Sequence, residues 1–258
     1  MPGRSSYAQN APIFAIATAS RASPNSIRVT GPAKLRGIDV ERDILAHMGF
    51  KPRIADNCRD PLAGNIALLP VQSWFLRSRD SESARHFNIV VELEIPARVS
   101  ESLLTEALAA LLESHDSLRA RFYPQDGDWV QEIQEVLNLD TVLLRYRRAA
   151  IRATEEEHSA IEALACSPFV LETGPLVRCV LVQGPDGGSE SLVLALHHLV
   201  ADWVSLRILI ADLDRLTRAL LNADANIARL SPPHWLREVA NVRCSELVSA
   251  SLSTSCAY

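Results

Sequence analysis

The chain has 258 residues, with 26 Lys and Arg against 31 Asp and Glu, and a formal net charge of −5 at pH 7. Hydrophobic residues make up 48% and charged residues 22%, which excludes a collagen, a coiled coil and a mainly disordered chain. The mildly acidic balance argues against nucleic-acid binding through bulk charge, and five scattered cysteines argue against a disulfide framework or a zinc site and favour a cytoplasmic protein.

The first quarter of the chain shows few signs of regular structure. Residues 1–38 contain five basic residues and no Asp or Glu, a composition typical of a transit peptide but also of a leader or linker within a larger protein. Prolines and glycines interrupt the segment, and one short helix is predicted over 38–47. We expect residues 1–65 to form a poorly structured leader or linker.

Regular structure is predicted from residue 66 onward. A helix begins at Pro70, with proline in its first turn, and the period-2 alternation of apolar residues over 89–95 predicts a half-buried strand. Ser100 is a suitable N-cap for a helix that reaches about Ser114. Two apolar runs around residues 125–128 predict a hairpin.

The second half of the chain mixes strands with long helices. Thr154 and Glu157 form a capping box that opens a helix. Apolar runs over 176–183 and 191–196 flank a glycine-rich turn and predict a second hairpin. Six apolar residues between 206 and 220 share one helix face. This pattern predicts an α/β (α+β) sandwich with a mixed sheet and helices packed on it.

The chemically informative segment follows the last predicted strand. His197 and His198 stand where the strand ends, and Asp202 comes four residues later, before a helix. Adjacent side chains on a strand point to opposite faces, so the two histidines should have different roles. They are a core pair with satisfied hydrogen bonds, or one of them is a general base; they cannot easily share a metal ion, and no third ligand is apparent. Asp202 is either an N-cap or the partner of an arginine.

These residues resemble a known motif. The pattern His197-His198-x-x-x-Asp202-x-x-Ser205 is similar to the HHxxxD motif of the condensation-domain superfamily of nonribosomal peptide synthetases, which shares its fold with chloramphenicol acetyltransferase. Four other segments resemble motifs of the same superfamily, in the same order: Leu69-Pro70-Val71-Gln72-x-Trp74-Phe75, His86-Phe87-Asn88 with the strand after it, Leu112-Glu113-x-His115-Asp116-x-Leu118-Arg119-x-Arg121-Phe122, and Pro168-Phe169-x-Leu171-x-x-Gly174-Pro175-Leu176-x-Arg178.

The subtype that the sequence resembles is the epimerization domain. The first of those segments is similar to PIQxWF, which opens epimerization domains, and residues 204–209 are closer to the VSWRIL of that subtype than to the DGWS of peptide-bond-forming domains. The resemblance implies that the second histidine, His198, exchanges a proton at the α-carbon of an aminoacyl or peptidyl thioester. It implies no cofactor of the domain's own, because the substrate hangs from the phosphopantetheine of a partner carrier protein.

The resemblance also assigns supporting roles. His197 is expected to be structural, Ser205 is expected to be a helix cap, and Gln72 and Trp74 are expected to pack. Asp202 is the residue that pairs with an arginine in the family; Arg119 is the first candidate partner and Arg178 the second.

Two departures from the family pattern affect the prediction. Trp203 stands where the family has a small residue, and we expect it to pack as core rather than to fill the substrate channel. The match covers only the first of two lobes, so the sequence predicts an N-terminal lobe over 66–230 and an aberrant tail over 231–258, without a second lobe. Three hypotheses stay open: an epimerization-type lobe, a condensation-type acyltransferase that forms amide bonds, or an inactive fragment that only binds a carrier protein.

Overall fold

The computed structural model of the chain describes residues 15–16, 26–28, 63–150 and 154–222. Within them, nine strands form a six-stranded and a three-stranded sheet. The strands are β1 Ala15–Ile16, β2 Ser26–Arg28, β3 Gly64–Ile66, β4 Asn88–Glu94, β5 Ala120–Gln125, β6 Asp128–Ile133, β7 Leu143–Arg147, β8 Val177–Gln183 and β9 Ser189–His197.

Six α-helices and one 3-10 helix connect these strands in the described ranges. The helices are α1 Pro70–Ser78, α2 Ser81–Ala84, α3 Glu101–Ser114, the 3-10 helix Asp116–Arg119, α4 Leu139–Val142, α5 Glu155–Cys166 and α6 Trp203–Leu221.

The large sheet has the order β1-β4-β9-β8-β7, and β2 also pairs with β4. β4 and β8 both run antiparallel to β9, whereas β7 and β8 are parallel and are connected through α5. The register pairs Asn88 at the start of β4 with His197 at the end of β9. The first residues of β4 and the two histidines therefore meet at one end of the sheet.

A hydrophobic core lies on each face of the large sheet. Helices α3 and α6 cover one face, and the other face packs against α1, the small sheet and the segment around Phe169. In β4, Ile89 belongs to the first core and Val90 to the second. The prediction that this strand is half-buried was therefore wrong, because both of its faces are covered and not one.

Most predicted elements are confirmed near their expected positions. The helix that starts at Pro70, the helix that ends at Ser114 and both hairpins are present. Ser100 accepts the N–H of Leu103 at 3.2 Å as the N-cap of α3. Thr154 and Glu157 form the expected reciprocal capping box.

Other elements depart from the sequence predictions. Of the segment 1–65, expected to be a poorly structured leader or linker, the structure describes 15–16, 26–28 and 63–65, which supply β1 and β2, both paired with β4, and the first two residues of β3; for the rest of the segment that expectation stays a prediction. The strand β7 was not predicted. The short helix expected over 38–47 and the tail over 231–258 lie outside the described residues. Within the described ranges, no helix has both the length and the apolar content that crossing a membrane requires.

Candidate functional site

The candidate site lies at the end of the large sheet where β9 delivers the two histidines. The backbone N–H of His197 donates to the carbonyl of Leu176 at 2.9 Å, and that of His198 donates to the carbonyl of Phe87 at 2.8 Å. Gln72 of α1 donates through Nε2 to the carbonyl of Leu199 at 3.0 Å. Hydrogen bonds to Leu176, Phe87 and Gln72 thus hold the backbone of residues 197–199 in place.

His197 is completely buried and has both ring nitrogens engaged. Its Nε2–H donates to the carbonyl of Ala84 at 2.6 Å, and its Nδ1 accepts the N–H of Leu199 at 3.1 Å. The ring meets Phe75 and Phe169 edge-on, with centroids 6.0 and 6.1 Å apart. Burial lowers the pKa of His197 to about 4, because the apolar surroundings penalise the charged form more than Ala84 stabilises it.

His198 has a different environment, although it is the next residue. It is half-buried, and its imidazole stacks on the ring of Phe87, with centroids 4.9 Å apart and an interplanar angle of 23°. Across the described part of the chain, the imidazole of His198 has no side-chain hydrogen bond. The two histidines do lie in separate environments, one inside the second core and one at its edge.

Asp202 is the N-cap of α6. Its Oδ1 accepts both the backbone N–H and the hydroxyl of Ser205, each at 2.7 Å. The pKa of Asp202 lies below its ordinary value: partial burial alone would raise it, but the hydrogen bonds from Ser205 and the backbone of Val204, together with the nearby His198, lower it by more. The prediction that Ser205 is the cap was wrong: Ser205 is the residue that Asp202 caps.

Arg119 does not pair with Asp202 as predicted. It is buried, and its Nη2 lies 2.7 Å from Oδ1 of Asp116, three residues earlier. The guanidinium also donates to the carbonyls of Leu112 and Glu113 at the C-terminal end of α3 and to that of Gln134. A local carboxylate and these unpaired helix carbonyls take up the charge of Arg119, so it holds the end of α3 instead.

Arg178, the second candidate, has another role as well. Its guanidinium lies 4.4 Å over the ring of Phe169, and it donates to the carbonyls of Ala165 and Ser167 at the end of α5. The chain therefore caps each of two helix ends with an arginine, one buried (Arg119) and one half-buried (Arg178).

Three further side chains were expected to pack. Gln72 is buried, and its Oε1 accepts the N–H of Leu69 at 2.8 Å. Trp203 is half-buried against the first core. Trp74, by contrast, is 66% exposed and lines an open cavity of about 710 Å³ between α1 and β6; its expected packing was wrong, because it lies on the outer face of α1.

Sequence reasoning missed two contributors to the site. The segment with Phe87 was noticed, but not that its ring is the surface under His198. Arg79, at the C-cap of α1, lies 5.2 Å over the rings of both Phe75 and Phe87. Phe87 and His198 lie far apart in the sequence, so no spacing rule reveals their contact. Arg79 is close in sequence to both of its rings, but the sequence does not show that Phe87 lies under His198 and that Arg79 therefore belongs to the site.

Residues 63–233 match the condensation-domain family. The chain belongs to this family. The curated relatives that it matches include a plipastatin synthase protein of Bacillus subtilis (strain 168), 36% identical over 155 residues, which cover 59% of this chain and 6% of the relative. A linear gramicidin synthase protein of Brevibacillus parabrevis is 29% identical over 204 residues, which cover 78% of this chain and 4% of the relative. The chain thus spans a small part of the length of these nonribosomal peptide synthetases.

Two solved structures share the fold. The epimerization domain from the third module of tyrocidine synthetase B is 28% identical, with a TM-score of 0.58 over 69% of this chain and 39% of that one. The first condensation domain of the calcium-dependent antibiotic synthetase, in complex with a substrate analogue, is 18% identical, with a TM-score of 0.60 over 71% of this chain and 45% of that one. The fold is therefore that of chloramphenicol acetyltransferase-like condensation and epimerization domains.

Proposed function

We propose that this segment belongs to an epimerization-type domain of a nonribosomal peptide synthetase. Its substrate would be an aminoacyl or peptidyl thioester on a carrier protein, and His198 would be the general base at the α-carbon. The subtype is supported by the segment from Leu69 to Phe75, by residues 204–209, and by the identity of 28% to the tyrocidine epimerization domain, against 18% for the antibiotic synthetase condensation domain.

The different engagement of the two imidazoles is the observation that supports His198 as the base. His197 uses Nε2 and Nδ1 for backbone contacts and has a pKa of about 4, so it stays neutral and has no lone pair to offer a substrate. His198 is half-buried, and its ring nitrogens have no hydrogen bond within the part of the chain that the structure describes. A general base needs an accessible nitrogen within reach of the proton that it removes.

The proposed reaction is a proton exchange at one carbon. The thioester acidifies the α-hydrogen of the bound residue; His198 takes this proton, and the electrons of the C–H bond move into the enolate. A proton returned to the opposite face of the α-carbon inverts its configuration, and no other bond changes. An imidazole suits this task because its ordinary pKa lies close to neutral pH.

The proposal includes a partner and a location. The carrier protein would present the thioester on its phosphopantetheine arm, so the domain would need no cofactor of its own. The reaction would take place in the cytoplasm. Because this chain covers 39% of the solved epimerization domain, we further propose that a second half completes the site.

Condensation-type chemistry is the second candidate. The fold of a condensation domain matches this chain with a TM-score of 0.60, and the same histidine would then assist an amine that attacks the thioester carbonyl. The two reactions leave different products. Epimerization in deuterium oxide would leave a deuterium label and inverted configuration at the α-carbon, whereas condensation would leave a new amide. An inactive segment that only binds a carrier protein would give neither product.

The test is an assay in deuterium oxide with a carrier-bound aminoacyl thioester. The chain is used alone and joined to the second half of the tyrocidine synthetase epimerization domain, and the hydrolysed product is analysed by mass and by chiral chromatography. We expect a one-dalton gain and a mixture of configurations in the joined form. No exchange above the carrier-only blank in either form would contradict the proposal, and an amide formed with an added acceptor would favour condensation.

A further inference from the structure

We propose that Phe87 is the positioning residue of His198 and that Arg79 holds the ring of Phe87 in place. We call Phe87, His198 and Arg79 the Phe87 stack. The inference rests on the proposed role of His198 as the base, and it adds how the orientation of that imidazole is set.

Phe87 contacts His198 twice, through its backbone and through its side chain. Its carbonyl accepts the N–H of His198 at 2.8 Å, and its ring lies nearly parallel to the imidazole at a centroid distance of 4.9 Å. The backbone bond places the Cα of His198 beside the start of β4. The ring then supplies a flat surface against which the imidazole stacks.

The stack replaces an interaction that a catalytic histidine usually has. A general-base imidazole is commonly oriented by a hydrogen bond to one of its nitrogens. His197 has two such bonds, but in the described ranges the ring of His198 has none. The orientation of His198 is therefore set by packing, and the ring of Phe87 provides the aromatic contact.

Arg79 and Phe75 hold Phe87 from the side of α1. The centroid of Phe75 lies 5.3 Å from that of Phe87, and the guanidinium of Arg79 lies 5.2 Å from both. A guanidinium over an aromatic face is attracted by the ring quadrupole. Phe75 also contacts His197 edge-on, so the rings form a continuous row from the buried histidine to the half-buried one.

This arrangement gives Phe87 a role that a purely structural aromatic would not have. Phe87 is only half-buried, whereas Phe75 and Phe169 are almost completely buried in the second core. Phe87→Leu keeps the backbone carbonyl that accepts the N–H of His198 and removes the ring contacts with His198, Phe75 and Arg79. The fold and the orientation of the imidazole can therefore be separated by experiment.

The first test measures the His198 ring in the full chain by NMR. Its proton resonances are assigned among the seven histidines by comparison with His198→Gln. We expect the ring-current shift from Phe87 to disappear in Phe87→Leu, to persist in Phe87→Tyr and to decrease in Arg79→Gln. Arg77→Gln is the matched control, because Arg77 is on the same helix but pairs with Asp128. Unchanged His198 resonances in both Phe87→Leu and Arg79→Gln would overturn the proposal.

The second test measures α-hydrogen exchange in the joined form. We expect Phe87→Leu to lower kcat about 2- to 10-fold with KM unchanged, the range that the stabilisation of an aromatic pair corresponds to, and Phe87→Tyr to restore it. A Phe87→Leu protein with lowered thermal stability but wild-type kcat and His198 resonances would make Phe87 merely structural. A chain that shows the ring-current shift but no exchange would contradict the proposed function and leave the positioning inference standing.

Discussion

The two neighbouring histidines have different surroundings because strand β9 ends at His197. His197 continues the alternation of β9 and enters the second core, where Ala84 and Leu199 satisfy both nitrogens. His198 is the first residue beyond the strand and rests on Phe87. The imidazole of His197 is therefore buried and fully engaged, whereas that of His198 stays accessible. The sequence alone shows only two identical residues.

The buried histidine should make folding sensitive to mild acid. The pKa of His197 is about 4 in the folded chain and about 6.5 in an unfolded one. Between these values the unfolded chain binds a proton that the folded chain does not, so the contribution is complete above pH 6.5 and is lost as the pH falls towards 4. We expect about 2 kcal/mol less free energy of unfolding at pH 5 than at pH 7 from this residue.

Urea unfolding at pH 7 and pH 5 checks this expectation. His197→Gln keeps a donor for Ala84 but cannot titrate, so its stability should change less between the two pH values than that of the wild type. His158→Gln, at an exposed position, serves as the control and should behave like the wild type. If the unfolding free energy of the wild type and that of His197→Gln change equally between pH 7 and pH 5, His197 is not the source of the pH dependence.

Two carboxylates are candidates for the ion-pair partner of the buried Arg119. The resemblance to the family implies Asp202, whereas the structure gives Asp116 at 2.7 Å. Arg119→Met should cost about 3–5 kcal/mol of unfolding free energy, because it leaves the Asp116 carboxylate buried without its counter-charge.

Double-mutant cycles separate the two accounts. Arg119→Met combined with Asp116→Asn should show a coupling of at least about 1 kcal/mol, since the two residues are in direct contact. Arg119→Met combined with Asp202→Asn should be additive to within about 0.5 kcal/mol. Large coupling to Asp202 and none to Asp116 would reverse the pairing.

At the scale of elements, α6 starts where the candidate site ends. Asp202 accepts two hydrogen bonds from Ser205 and so closes the first turn. Asp202→Ala should lower the unfolding free energy by about 1 kcal/mol, whereas Asp202→Ser should lower it much less, because serine also caps helices.

Chemical denaturation of the two variants measures this difference. Comparison of their α-hydrogen exchange then separates capping from any direct role, since Asp202→Ser restores the cap without the charge. If Asp202→Ala and Asp202→Ser destabilise the chain equally, capping is not the contribution of Asp202.

Elements were predictable where the sequence repeats a physical period or a cap. The helical spacing of apolar residues in α3 and α6, the capping box at Thr154 and the glycine turns of both hairpins depend on neighbours within a few residues. β7 was missed because its burial pattern mixes one buried position, Leu143, with exposed arginines. Whether β4 has one or both faces covered depends on which elements pack on it, which local patterns cannot show.

At the scale of the whole molecule, the sheet brings distant segments to one edge. β4 and β9 place Phe87 against His198, and α1 places Arg79 over Phe87. The sequence motif identified the two histidines and Asp202, because they lie within six residues, but it assigned the helix cap to Ser205 and not to Asp202. It did not reveal the stack, because Phe87 and His198 meet only in the tertiary fold. It also suggested Asp202 as the acid for Arg119, although the observed partner, Asp116, lies only three residues before that arginine.

The central claim is that His198, and not His197, is the base of this condensation-family segment. The most direct measurement is deuterium incorporation at the α-carbon of a carrier-bound thioester by the joined form, compared with that of His198→Gln. Circular dichroism first verifies that the variant is folded. We expect exchange in the wild type and a loss of at least about 100-fold in the variant, the range of general-base catalysis. Exchange at the wild-type rate in folded His198→Gln would contradict the account.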